Sequence, residues 1–110
     1  MKTYALTLNL KNDPEKIAAY KAFHAHPFPE VVAALKAVGI VDMKIWLLGR
    51  RLFMMYVAED FFNPERDFKR YLELHPRCKE WEDLMTTLQE PVPEAKVHEK
   101  WALMEQVFQL

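Results

Sequence analysis

The stretch Val41-Asp-Met-Lys-Ile-Trp-Leu-Leu-Gly-Arg-Arg-Leu-Phe-Met-Met-Tyr-Val-Ala58 decides the fold. Two runs of eight residues alternate with period two around the dipeptide Gly49-Arg50. Gly49 makes positive φ available, so the two runs read as strands joined by a tight hairpin. Val41, Met43, Ile45 and Leu47 share one face of the first strand, and Asp42, Lys44, Trp46 and Leu48 the other. On the second strand, Leu52, Met54 and Tyr56 oppose Phe53, Met55 and Val57. Both faces carry apolar side chains, so neither is expected to be left to water.

Working outward, helical sequence flanks the hairpin on both sides. Upstream, Tyr4, Leu6, Leu8 and Leu10 alternate with Thr3, Ala5, Thr7 and Asn9, a half-buried strand over residues 3–10. Asp13-Pro14 has helix-start chemistry, with Asp13 as N-cap and Pro14 at the first helical position. That helix meets Pro27 and Pro29 and is expected to break just after His24. A second helical stretch runs from Pro29 through Val38, with Gly39 as its C-cap. Downstream, Glu59–Asn63 connects to a helix over Glu65–Leu74, and His75-Pro76 breaks it. A further helix from Pro76 to Leu88 carries Trp81, Leu84, Met85 and Leu88 at three- and four-residue spacing. Gln89–Glu94 reads as a proline-stiffened connector, and Lys100–Leu110 alternates again as a fourth strand. The order is a split βαβ pattern. It predicts one α+β domain over residues 1–110, a ferredoxin-like plait with a four-stranded antiparallel sheet and helices on one face. Its other face would be covered by a second copy, sheet against sheet.

Composition removes several function classes. A net charge of −1 gives no electrostatic basis for binding nucleic acid or an anionic membrane. No apolar run approaches ~18 residues, and the N-terminus lacks a signal-peptide pattern, so the expected setting is the cytoplasm. Two glycines exclude a glycine-rich phosphate loop. One cysteine, Cys78, excludes an internal disulfide and supplies no metal spacing.

The chemistry-bearing residues gather at the proline break. Tyr20 and His24 lie four apart and share a helix face. A phenol beside an imidazole can give and take protons near neutral pH. A histidine near a helix end is also a common hydrogen-bonding or dipole partner. His24 and His26 are two imidazoles, too few for a metal site, and His75 and His98 stand at no ligand spacing. Trp81 is either core packing or a flat wall for the apolar face of a sugar. Asp42 and Glu82 are surface charges or pocket carboxylates, and Met43 is core filler or a contact.

Tyr20-x-x-x-His24, Pro29-Glu30, Gly39, and Cys78-Lys-Glu-Trp81 with Met85 resemble the L-rhamnose mutarotase family across nearly the whole chain. Within it, Gly39–Trp46, Gly49–Met54, Gln89–Pro93 and Glu99–Leu110 are similar to the branch described as L-fucose mutarotase. The resemblance implies a dimeric α+β barrel that interconverts the anomers of a 6-deoxy-L-sugar by acid–base chemistry, with no metal or cofactor. By the same resemblance His24 matches the proton donor, Tyr20 a sugar-binding tyrosine and Trp81 the first of two sugar-binding tryptophans. Glu82 stands where the rhamnose enzymes carry the second tryptophan, and Met43 where they carry a sugar-contacting tyrosine. Both departures fit a different sugar stereochemistry. The expected catalytic pair is therefore His24 and Tyr20, with Trp81, Glu82, Asp42, Met43 and His26 binding substrate. Tyr20, Asp42, Glu82 or a water remain open as the second proton-handling group. Two other readings share the fold: a cofactor-free or haem-linked monooxygenase, and a sugar-binding module without catalysis.

Overall fold

The helix boundaries are set by side chains that satisfy free backbone donors. A computed structural model describes residues 1–110. After β1 (Lys2–Leu10), the Asp13 carboxylate accepts the Glu15 N–H at 2.9 Å and opens α1 (Pro14–Ala25). The chain then turns at His26–Phe28, and Pro29 occupies the first turn of α2 (Pro29–Ala37). The break falls one residue later than the sequence predicts, after Ala25.

β2 (Ile40–Leu48) and β3 (Arg51–Ala58) form the expected hairpin. Leu48 pairs with Arg51, so Gly49-Arg50 is a two-residue loop, with Gly49 at φ +61°. Positive φ at the first loop position alone is the type II′ arrangement, whose twist matches that of the strands. A bulge between Ile40 and Asp42 corrects one part of the predicted alternation. Val41 is the extra residue, half-exposed rather than facing in with Met43. From Asp42 onward the alternation holds.

The Asn63 side chain accepts the Arg66 N–H at 3.0 Å and Asp67 reaches back to the Asn63 N–H at 2.8 Å. These reciprocal bonds box the start of α3 (Pro64–Leu74). Asp67 is fully buried, and Arg66 and Arg70 both pair with its carboxylate. α4 (Pro76–Leu88) starts from His75, whose ring nitrogen accepts the Arg77 N–H at 3.0 Å.

The antiparallel sheet has the order β2-β3-β1, and the fourth place beside β1 is shared by two short pieces. These are β4 (Gln89–Glu90), against Asn9 and Leu10, and β5 (Ala102–Leu103), against Leu6 and Thr7. The long terminal strand predicted over Lys100–Leu110 is therefore cut to two residues, and the Met104 N–H makes one more bond to Ala5. One edge of β1 offers a single row of partners, and beyond Ala5 the tail leaves it. Val107, Phe108 and Leu110 then stand almost wholly in solvent. All four helices belong with one face of the sheet, where Leu8, Leu52, Tyr56, Val38, Phe62, Cys78 and Met85 join the core.

Candidate active site

The inner sheet face and the helices do not close completely on each other. Between them lies a cavity of about 980 Å³. Tyr20 and His24 enter it from α1, Met43 and Ile45 from β2, and Trp81 and Glu82 from α4. Residues of the final segment, Glu99, Lys100 and Trp101, border its far side.

The proline break gives His24 its position. At the last turn of α1, its ring lies flat on Tyr20, with centroids 4.1 Å apart and planes at 28°. Trp81 meets the same imidazole edge-on at 5.2 Å. His24 Nδ1 lies 2.8 Å from the Tyr20 carbonyl oxygen. A carbonyl only accepts, so Nδ1 carries the hydrogen and Nε2 keeps its lone pair. Burial pulls the His24 pKa below its ordinary value, and the bond to Tyr20 only partly opposes this. The resting imidazole at neutral pH is thus uncharged, with a free basic nitrogen.

Tyr20 is a different kind of group. It is 4 % exposed. Burial raises the pKa of its phenol well above the ordinary value, the Glu82 carboxylate adds to the rise, and the Gln89 amide beside it opposes it. Such a phenol stays protonated and donates hydrogen bonds; it does not serve as a base. Trp81 packs in the core and also borders the cavity. It is buried in the core, edge-to-face with Phe23 and Phe28 as well as His24, and it walls the cavity.

The two candidate carboxylates separate. Glu82 lines the cavity with one oxygen 3.4 Å from the Tyr71 hydroxyl, which donates to it, and the other 3.5 Å from Lys100 Nζ. Asp42 sits at the rim, on the sheet face turned from the helices, in an exposed pair with Lys44 at 3.0 Å. His26 is exposed at the end of α1 and does not border the cavity. Met43 faces inward opposite Tyr56. Cys78 is fully buried with its thiol pushed up by burial, the setting of an inert thiol. No three His, Cys, Asp or Glu side chains converge as a metal would require.

Several polar residues of the cavity escaped the sequence reading, among them Tyr71, Gln89 and Lys100. For Gln89 a signal existed. Glu82, Met85 and Gln89 follow three- and four-residue steps, so a polar side chain stood in phase with the inward face of α4. Pro91 and Pro93 disguised it as part of a connector.

The L-rhamnose mutarotase family model matches residues 3–110. The chain belongs to the L-rhamnose mutarotase family. Membership makes it one of the sugar mutarotases, an isomerase class. An L-fucose mutarotase of Xanthomonas campestris is 32% identical over 112 residues, covering 100% of this chain and 89% of that protein. A UPF0734 protein of Dictyostelium discoideum is 44% identical over 112 residues, covering 99% and 90%. Among solved structures, the L-rhamnose mutarotase of Formosa agariphila superimposes with a TM-score of 0.71 at 20% identity, covering 100% of this chain and 99% of its own. Tetracenomycin F2 cyclase of Streptomyces glaucescens, a type-II polyketide cyclase, gives 0.61 at 14% identity with the same coverage. At those identities the two structures establish the shared ferredoxin-like fold. That one fold serves a sugar mutarotase and a polyketide cyclase shows why the chemistry has to be argued from the site.

Proposed function

We propose that this protein exchanges the α and β anomers of a 6-deoxy-L-pyranose, with L-fucose preferred over L-rhamnose. The observation that carries the reading is the neutral His24 imidazole, its Nδ1–H committed to Tyr20 and its Nε2 free, between two aromatic rings in a cavity that readily admits a sugar. Trp81 offers an apolar wall, and Glu82, Lys100 and Tyr71 offer a polar cluster to the ring hydroxyls. The preference for L-fucose rests on the Xanthomonas relative and on Glu82 and Met43.

Mutarotation needs one proton removed from the anomeric hydroxyl O1 and one delivered to the ring oxygen O5 as the C1–O5 bond breaks. Both oxygens are bonded to C1, so one imidazole nitrogen can serve both. Nε2 takes the proton from O1 as the carbonyl forms, and the resulting imidazolium gives it to O5. The open aldehyde turns about C1–C2, and the reverse steps close the ring on the other face. Proton and charge balance with no second group and no co-reactant. Tyr20 steadies an oxygen of the substrate as a hydrogen-bond donor. Asp42, at the rim, and His26, outside the cavity, contact substrate only if a partner chain or bound sugar brings them in; the residues proposed to bind are Trp81, Glu82 and Met43.

We also propose a homodimer. The outer sheet face presents Trp46, tilted against Phe53 at 5.5 Å and half-exposed, and Leu48, almost fully exposed. A second sheet would cover both, and we assign the exposed Val107 and Phe108 of the tail to the same contact.

The test is anomer exchange measured beside sugar binding. His24→Ala should abolish enzymatic exchange of L-fucose anomers while the sugar still changes tryptophan fluorescence. Binding without exchange in the wild type would leave only the sugar-binding module. Haem or quinol turnover would favour an oxygenase.

A further inference from the structure

The cavity wall contains a side-chain oxygen with nothing to hold. Gln89 is 7 % exposed and borders the cavity. Its Oε1 is buried and has no hydrogen-bond partner in the protein. A buried amide left unpaired is costly, and such groups are normally paired in a native protein. Its position explains the exception. β4 pairs Gln89 with Leu10, which fixes its backbone in the sheet and turns its side chain toward the Tyr20 hydroxyl. Tyr20 in turn lies flat against His24. The amide is therefore one side chain removed from the group that works on the anomeric carbon, and the ring position next to that carbon is C2.

The geometry points to Gln89 as the residue that reads the substrate's 2-hydroxyl, acting with the Tyr20 hydroxyl. This inference rests on the proposed mutarotase function. An amide both donates and accepts, so a hydroxyl between Gln89 and Tyr20 satisfies the orphaned oxygen and gains a donor. L-Fucose and L-rhamnose differ in configuration at C2 and C4, so a contact at O2 bears directly on which sugar is accepted. A site built to hydrogen-bond one hydroxyl rejects an analogue lacking it more strongly than an apolar pocket rejects an extra group.

The test is a cycle between protein and substrate, with Gln89→Leu and Gln89→Glu on one side and L-fucose and 2-deoxy-L-fucose on the other. Exchange rates are read by NMR after subtracting the spontaneous rate of each sugar, with melting curves for each variant. Wild type should show kcat/KM roughly 10–100-fold lower for the 2-deoxy sugar, the range for losing one buried hydrogen-bonded contact. Gln89→Leu should lose a similar factor on L-fucose and discriminate little between the two sugars. Its melting temperature should be unchanged or higher, because an unpaired polar group has gone. Gln89→Glu, which keeps the shape and an acceptor, should recover part of the discrimination. Equal losses on both sugars, unaltered discrimination in Gln89→Leu, or a melting point that drops with activity would each overturn the assignment. If wild type accelerates exchange of neither sugar, the mutarotase reading fails by itself. The same cycle run on dissociation constants from tryptophan fluorescence then judges Gln89 alone, and equal affinities of wild type for the two sugars, or an unchanged ratio in Gln89→Leu, would reject it.

Discussion

In the proposed mechanism His24 works from its uncharged form, and this makes the pH dependence of catalysis the sharpest consequence of the geometry. Burial depresses its pKa below the ordinary 6.5, and the Nδ1–H bond to Tyr20 leaves Nε2 as the acceptor. kcat/KM for anomer exchange should therefore rise with pH through the depressed pKa and be level by neutrality. His24→Ala removes the only group on the proposed proton path. A positioned acid–base group is worth ~10²–10⁴-fold, so the loss corresponds to about 2.7–5.4 kcal/mol of transition-state stabilisation. His24→Gln keeps more of the volume between Tyr20 and Trp81 and should lose as much, which separates chemistry from packing. The sign for stability follows from the same depression. Folded His24 is neutral where an unfolded one binds a proton, so the chain gains stability as pH rises toward about 6.5 and loses it on acidification. In His24→Gln that component of the pH-dependent melting should vanish. The assay is anomer exchange of L-fucose between pH 4.5 and 8, corrected at each pH for the uncatalysed rate. Activity that climbs as pH falls from 7 to 5 would mean that imidazolium is the working form, and would refute the neutral-base argument.

Other outcomes follow from the scaffold. Gly39 adopts φ +112°, and a Cβ there would stand 3.0 Å from the Phe61 ring. Gly39→Ala should cost about 1–3 kcal/mol from the backbone conformation, since the exposed Phe61 ring can swing aside, and thermal melting would report a drop of several degrees. Asp67→Asn should lower the melting temperature at neutral pH, because the buried carboxylate holds Arg66, Arg70 and the Asn63 N–H. Those bonds keep its pKa well below the ordinary value, so its contribution is present above about pH 4 and lost as pH falls through the folded pKa. Wild type and Asp67→Asn should then converge in acid, and a constant gap across pH would contradict this. Trp46→Glu should convert a homodimer to a folded monomer in sedimentation experiments, and a wild-type monomer at micromolar concentration would remove the dimer.

Much of this architecture was legible from local chemistry. The hairpin announced itself through alternation and Gly49, and α1 through Asp13-Pro14. Both signals depend on a few neighbouring residues. Val41 was misplaced because a bulge has no residue-type marker; its cause is the pairing of Ile40 and Asp42 with the next strand. The tail alternated as a strand should, yet a strand is made by pairing, and the tail leaves the β1 edge after the Met104 bond to Ala5 although β1 runs on to Lys2. Tyr20, His24 and Trp81 were found because their types and spacing carry chemistry without tertiary knowledge. Asp42 and Glu82 were indistinguishable in sequence. What separates them is which sheet face the helices cover and where α4 passes, both long-range properties. Lys100 reaches Glu82 across eighteen positions, a contact that no local pattern encodes.

The central claim is that this cavity catalyses anomer exchange through His24. It is tested most directly by saturating one anomeric proton of L-fucose and following transfer to the other anomer, with wild type, with His24→Gln and with no protein. Transfer well above the spontaneous level in wild type, larger than for L-rhamnose and absent in His24→Gln, is the predicted result. Transfer at the spontaneous level in wild type, or undiminished in His24→Gln, would contradict it.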